Sequence, residues 1–272
     1  MRVCEDVAKL VLYFDLVKYL GHERSLTQIK YNKEGDLLFT CSKDSVINVW
    51  YSHNGERLGT YEGHNGSVWT VDVDCEFRLV HTCANSSIFM LIHIEILAPA
   101  QSRFIVTGAA DNTMRLWNVS NGKCLFTWDF PTAVKRVAFS PDDSQIVCIT
   151  EQRMGFVGAV RIFTLDRSSD SDGTRQSKLP TSEFNPPGSK ATVCAFGYNA
   201  STVLTGHESG KIALWDAKTG EELKSLGRAH SDVITDLQIS ADRSYFITSS
   251  KDKTAKVGAS TTTMINLSPP PR

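Results

Sequence analysis

Charge of one sign is missing from this chain. Its 272 residues carry 29 Lys plus Arg against 30 Asp plus Glu, a formal net charge of -1. Such a balance supplies no field that would draw in nucleic acid or an anionic membrane, so any RNA contact is expected to be local or through partners. Cysteine pairing signals are missing too. The seven cysteines (Cys4, Cys41, Cys75, Cys83, Cys124, Cys148 and Cys194) are odd in number and form no CxxC pair. That argues against a disulfide framework or zinc site and for a reducing, cytoplasmic compartment. Long apolar runs are lacking as well. Residues 7–20 are fairly apolar, but Asp15 interrupts them and Glu5 and Asp6 stand where a signal peptide needs positive charge. The run at 88–97 carries His93 and Glu95 and is half the length of about twenty residues that a bilayer span requires. Neither a secretory leader nor a membrane helix is expected.

What is present is a repeat. Gly21-His22, Asp44 and Trp50 return as Gly63-His64, Asp111 and Trp117, and parts of the frame recur as Trp215, His230 and Asp252. His22 and His64 lie 42 residues apart, which matches one blade of a WD40 β-propeller at about 40–45 residues. The expected fold class is therefore all-β, a propeller with about five blades present and a ring that is not necessarily closed.

Blade one is the clearest unit. Alternation begins at Leu26, the residues 32–36 supply turn chemistry, strands follow at 37–41 and 46–51, and Asn54-Gly55 marks a hairpin before a fourth strand at 57–61. Blade two starts at 67–74 and resumes at 103–107 and 113–117. His64 and Asp111 are 47 residues apart where His22 and Asp44 are 22 apart, so about 25 residues are surplus near 75–99. Their oily composition is unlike an exposed loop, and it favours an unremoved intron or gene-model error over a true insertion packed beside the ring.

Blade three spans 134–139, 145–150 and 160–163, with Phe130 in place of the His and Phe163 in place of the Trp. Residues 167–190 read as a polar, solvated loop between blades. Blade four takes 192–196, 201–205 and 211–216, and blade five takes 233–240 and 245–249 with a turn at 251–254. Gly258 stands six after Asp252, where Trp50 and Trp117 stand six after their Asp. From residue 257 the chain reads as an unstructured, divergent tail ending in three prolines. Residues 1–20 read as an atypical extension. Left without further blades, the first and fifth would expose apolar surface, from which poor solubility or chaperone dependence is expected.

The repeated polar residues invite a catalytic reading, His22 as base and Asp44 as its orienting carboxylate. A structural reading competes: His before the first strand, Asp in the second turn and Trp on the third strand can form one hydrogen-bonded cluster that locks loops onto the sheet. The second is favoured, because His64 and Asp111 repeat the frame and no nucleophile elbow accompanies either. The cluster assigned on this basis comprises His22, Asp44, Trp50, His64, Asp111, Trp117, Trp215, His230 and Asp252. Ser209 sits where blade four should carry its Asp, so that cluster is expected to be weaker. Residues 206–210 match neither GxSxG nor a P-loop and read as a turn between strands. His81 and His93 lack partners for a metal, and Lys135 and Arg136 read as a solvated strand face. No catalytic residue, cofactor or metal is expected.

Several blocks are more individual than blade grammar. The runs GHERSLTQIKYNKEGDLLFTCSKDSVINVW from Gly21, GHNGSVWTVDVD from Gly63, TGAADNTMRLW from Thr107, WDFPTAVKRVAFSPDD from Trp128, TGHESG from Thr205 and YFITSSKDKTAK from Tyr245 resemble subunit i of eukaryotic translation initiation factor 3. The resemblance implies a seven-bladed, non-catalytic scaffold that holds subunits b and g within the preinitiation complex of the 40S ribosomal subunit, which it contacts indirectly. It implies further that a helical segment of subunit b docks on the propeller's side. The alternative is another WD40 adaptor, such as a serine/threonine kinase receptor-associated scaffold, which should lack GHERS and WDFPTAVKRV as intact blocks. Against the family pattern, this chain differs before Gly21 and after Lys256.

Overall fold

A computed structural model of the chain describes residues 21–74, 103–153, 155–167, 173–240 and 242–259. Every regular element in them is a strand, and the strands form five antiparallel sheets. The first sheet contains β1 (Leu26–Tyr31), β2 (Leu37–Ser42), β3 (Ile47–Tyr51) and β4 (Arg57–Tyr61), hydrogen-bonded in that order. The second contains β5 (Val68–Val73), β6 (Phe104–Ala109), β7 (Thr113–Asn118) and β8 (Cys124–Asp129). In the third are β9 (Val134–Phe139), β10 (Gln145–Thr150), β11 (Val160–Thr164) and β12 (Ser182–Phe184). The fourth holds β13 (Ala191–Phe196), β14 (Thr202–His207), β15 (Lys211–Asp216) and β16 (Glu222–Arg228). The fifth has three described strands, β17 (Ile234–Ile239), β18 (Tyr245–Ser250) and β19 (Ala255–Ala259). The first strands of successive sheets pack side by side in the order β1, β5, β9, β13, β17, as the innermost strands of propeller blades.

Local chemistry sets the hairpins. Between the third and fourth strands, Gly55, Gly122 and Gly220 all adopt left-handed backbone (φ 73, 68 and 71). Each donates its amide N–H to the last residue of the preceding strand, at 2.9 Å to Tyr51, 3.0 Å to Asn118 and 2.9 Å to Asp216. A Cβ at positive φ is strained, so glycine is the residue that lets this turn recur. Packing then comes from neighbours. Phe39, Ile47 and Val49 of the first blade bury against Val71, Ile105 and Trp117 of the second, and Val106, Met114 and Leu116 of the second against Val137, Ile146 and Phe163 of the third. A single blade cannot cover both its faces, so the core is shared along the row.

Four expectations need correction. The segment 167–190 is not wholly a loop, because β12 supplies the third blade's outer strand, with Val160 opposite Phe184. Its polar composition hid a strand only three residues long. The region from residue 257 is not unstructured at its start: Val257, Gly258 and Ala259 belong to β19, where Gly258 lies opposite Phe246. Phe246 is buried at the position held by Leu38 and Ile105 beneath Trp50 and Trp117, so its larger ring fills the space that the missing indole leaves. His207 is not in a turn but ends β14, fully buried. Arg136 is not a solvated residue: its side chain is 13% exposed and pairs with Asp236 two blades away. The surplus at 75–99, the extension at 1–20 and residues 260–272 lie outside the described residues. Around the surplus the ladder is intact, with Val73 opposite Ile105.

Candidate functional site

Each polar cluster joins the loop that enters a blade, the blade's second strand and the turn after it, and in blades one and two the third strand as well. In blade one, the His22 Nδ1 lies 2.9 Å from the Asp44 carboxylate, while its Nε2 lies 2.8 Å from the Thr40 hydroxyl. The Trp50 indole N–H donates to the same hydroxyl at 2.8 Å. Blade two repeats this geometry, with His64 to Asp111 at 2.8 Å, His64 to Thr107 at 2.8 Å and Trp117 to Thr107 at 2.9 Å. Blade five keeps His230 to Asp252 at 2.9 Å and His230 to Thr248 at 2.9 Å, without an indole.

The directions follow from the donors present. An ionised carboxylate only accepts, so Nδ1 carries the ring proton and Nε2 is the acceptor for threonine. The relay therefore runs from Trp N–H to Thr O–H to His, and from His to Asp. In blades one and two both imidazole nitrogens and the indole N–H are spent within the relay, as is the threonine O–H that donates to the histidine.

The carboxylates are stabilised as anions. Burial alone would raise the Asp111 pKa, but the His64 ring, the Asn65 amide and the Thr113 hydroxyl together hold it well below the ordinary range. Burial likewise opposes ionisation of Asp44, and the Ser42 and His22 hydrogen bonds outweigh it. At Asp252 the Thr254 hydroxyl is the chief cause of a lowered value.

Blades three and four use substitutes. In blade four Trp215 donates to Thr205 at 2.7 Å, but the histidine is His207 from β14 itself, 2.8 Å from Thr205 and 3.1 Å from the Ser189 carbonyl. Burial pushes the His207 pKa down, partly opposed by that carbonyl. Ser209 is outside this relay; its amide N–H donates to the Ser189 hydroxyl at 3.1 Å. In blade three Arg161 reaches the Thr150 hydroxyl at 2.7 Å and Glu183 at 2.8 Å, and its guanidinium stands 5.5 Å from the Phe130 ring.

Sequence reasoning missed the threonines. Thr40, Thr107 and Thr248 each precede their aspartate by four residues, and Thr205 precedes Ser209 by the same spacing, so a readable signal was present. It also missed the links between blades. Val68 N–H donates to the Asp44 carbonyl at 3.1 Å, and Thr27 and Thr192 donate to Val68 and Ile234 of the next blades, each at 2.6 Å. The aspartate turn of one blade thus anchors both its own cluster and the next blade.

Five radially packed sheets, two of them holding a complete His–Asp–Thr–Trp relay, define a WD40-repeat β-propeller. The profile of the family described as WD domain, G-beta repeat matches residues 14–51, 55–90, 97–118 and 220–257. Eukaryotic translation initiation factor 3 subunit I of Mycosarcoma maydis is 52% identical over 245 residues, which is 87% of this chain and 63% of that protein. The subunit of the same name from Schizosaccharomyces pombe is 49% identical over 237 residues (87% and 64%), and that from Aspergillus oryzae 46% over 239 residues (87% and 63%). The chain belongs to the family of these subunits. It spans 63–64% of the length of these three relatives. No helix among the described residues is long and apolar enough to cross a membrane. Nor does any group of three or more His, Cys, Asp or Glu among them gather as a metal site would.

Proposed function

We propose that the chain is a non-catalytic scaffold of translation initiation, binding other subunits of initiation factor 3, b and g among them, within the small-ribosomal-subunit preinitiation complex of the cytoplasm. The observation that carries this reading is 45–52% identity to proteins named initiation factor 3 subunit I across 87–88% of the chain. The relay supports it physically. Its His and Asp are spent on one another and on the sheet, which leaves rims, blade sides and strand edges as the surfaces that can do work. Nothing in these relatives favours the kinase-receptor adaptor.

Affinity capture of the tagged 272-residue chain from cells of its source tests the reading. Mass spectrometry is expected to find initiation factor 3 subunits enriched together with the small ribosomal subunit. Recovery of the chain without any of those subunits would refute it. The same spectra, searched for peptides from 75–99 and 260–272, show whether those segments occur in the working protein.

A further inference from the structure

Asparagine followed by glycine occurs three times, at Asn54-Gly55, Asn65-Gly66 and Asn121-Gly122. Such a pair is open to reaction with itself, because a glycine has no side chain to keep its amide nitrogen away from the carboxamide carbon of the residue before it. Two hydrogen bonds can restrain it, one that holds the glycine N–H and one that holds the carboxamide.

In the outer hairpins of blades one and two both restraints are present. The Gly55 and Gly122 N–H groups donate to the Tyr51 carbonyl at 2.9 Å and the Asn118 carbonyl at 3.0 Å. The Asn54 and Asn121 carboxamide oxygens accept from the Glu56 and Lys123 amides, each at 2.9 Å. Asn65-Gly66, in the loop that enters blade two, has neither. Among the described residues the Asn65 carboxamide and the Gly66 N–H make no hydrogen bond, and Asn65 is exposed.

We propose that Asn65 is a self-modification site, its carboxamide lost in favour of aspartate and isoaspartate. The Gly66 nitrogen gives its proton to solvent and attacks Asn65 Cγ; the bond from Cγ to Nδ2 breaks, and that nitrogen takes up a proton and leaves as ammonia. Water then opens the five-membered imide. Opening at Cγ yields aspartate, and opening at the main-chain carbonyl yields isoaspartate, whose backbone is longer by one carbon. The added length falls where the loop is tied on both sides. The Asn65 N–H donates to the Asp111 carboxylate at 3.0 Å, while the Ser67 carbonyl accepts from the Ala110 N–H and the Ser67 hydroxyl donates to the Lys43 carbonyl, each at 2.8 Å. Between these ties a Cβ on Gly66 would stand 2.9 Å from the Asp111 nitrogen. A lengthened chain therefore pushes the loop off Asp111, the carboxylate that holds His64 at 2.8 Å, and loosens the relay of blade two.

The test holds the full chain at neutral pH, folded in one sample and in urea in another. Mass spectrometry follows the three asparagine peptides, with isoaspartate identified by co-elution with synthetic standards. In urea the three pairs convert at comparable rates. In the folded chain Asn65 converts first and Asn54 and Asn121 follow about tenfold more slowly, as the need to break a hydrogen bond beforehand requires. The melting temperature of the folded chain falls as isoaspartate accumulates, and it holds steady in Asn65→Gln, whose extra methylene disfavours the five-membered ring. One rate for all three pairs in the folded chain, faster conversion at Asn54 or Asn121, or an unconverted Asn65 would overturn the site. A melting temperature that stays constant, or that falls equally in Asn65→Gln, would overturn its effect on blade two. Because the unmodified chain gives the first readout, the site is tested without any variant.

Discussion

Thr107→Val removes one hydroxyl and keeps nearly the same shape. In blade two that hydroxyl is fully buried and serves two groups that are also buried, the Trp117 indole N–H at 2.9 Å and His64 Nε2 at 2.8 Å. Each buried polar group left without a partner costs about 1–3 kcal/mol, so the substitution should destabilise the protein by roughly 2–5 kcal/mol. The source of the cost can be isolated. In a Trp117→Phe background no indole N–H remains to be orphaned, and the penalty of Thr107→Val should shrink by about 1–3 kcal/mol as a coupling energy. Urea denaturation at unchanged m-value reads the total, and amide exchange in β6 and β7 shows whether the loss is centred on this blade. Thr164→Val is the control, since that exposed hydroxyl meets only the Thr181 hydroxyl at 2.8 Å and should matter by less than about 0.5 kcal/mol. A cost of Thr107→Val below about 0.5 kcal/mol, or one equal in both backgrounds, would refute the relay as a source of stability.

Gly258→Trp restores the blade's usual aromatic but drives its Cβ into the Phe246 ring; thermal melting should show a loss with this change alone and recovery when Phe246→Leu is added, as volume-conserving exchanges allow. Arg167→Met strips the fully buried Asp74 carboxylate of its 2.8 Å partner, and breaking such a pair should cost about 3–5 kcal/mol in denaturant titration; a loss within error would show that Asp74 does not need this cation. His207 has a folded pKa below its ordinary value of 6.5, so the unfolded chain binds the proton more readily. Its contribution is present above pH 6.5 and is lost as pH falls through the lower folded value, and His207→Gln should flatten that part of the stability profile. Asp111 is held below its ordinary 3.8, so its contribution is present above that value and is lost in stronger acid; Asp111→Asn should remove part of the acid sensitivity seen by circular dichroism.

Much of this architecture was legible in order along the chain because blades are local objects. Alternating apolar residues, Gly turns and the spacing of His, Asp and Trp place strands of one blade beside each other within some forty residues, and five such units were readable. The spacing of His22, Asp44 and Trp50 also marked where three polar side chains would stand in one sheet. The four-residue offset that brings Thr40, Thr107, Thr205 and Thr248 into the relay was equally present in the letters, but a threonine in a strand is ordinary and carries no mark of its own. The individual blocks, and not the blade pattern, pointed to one family.

Other features depended on what stands next to a blade in space, and no periodicity encodes that. Arg136 meets Asp236 at a separation of 100 residues, and Trp69 meets Lys135 across two blades whose first strands pack side by side. Within a blade, chain distance fixes contact through hairpins a few residues long. Between blades, packing of whole sheets fixes it, and only the folded arrangement shows which side chains that packing brings together.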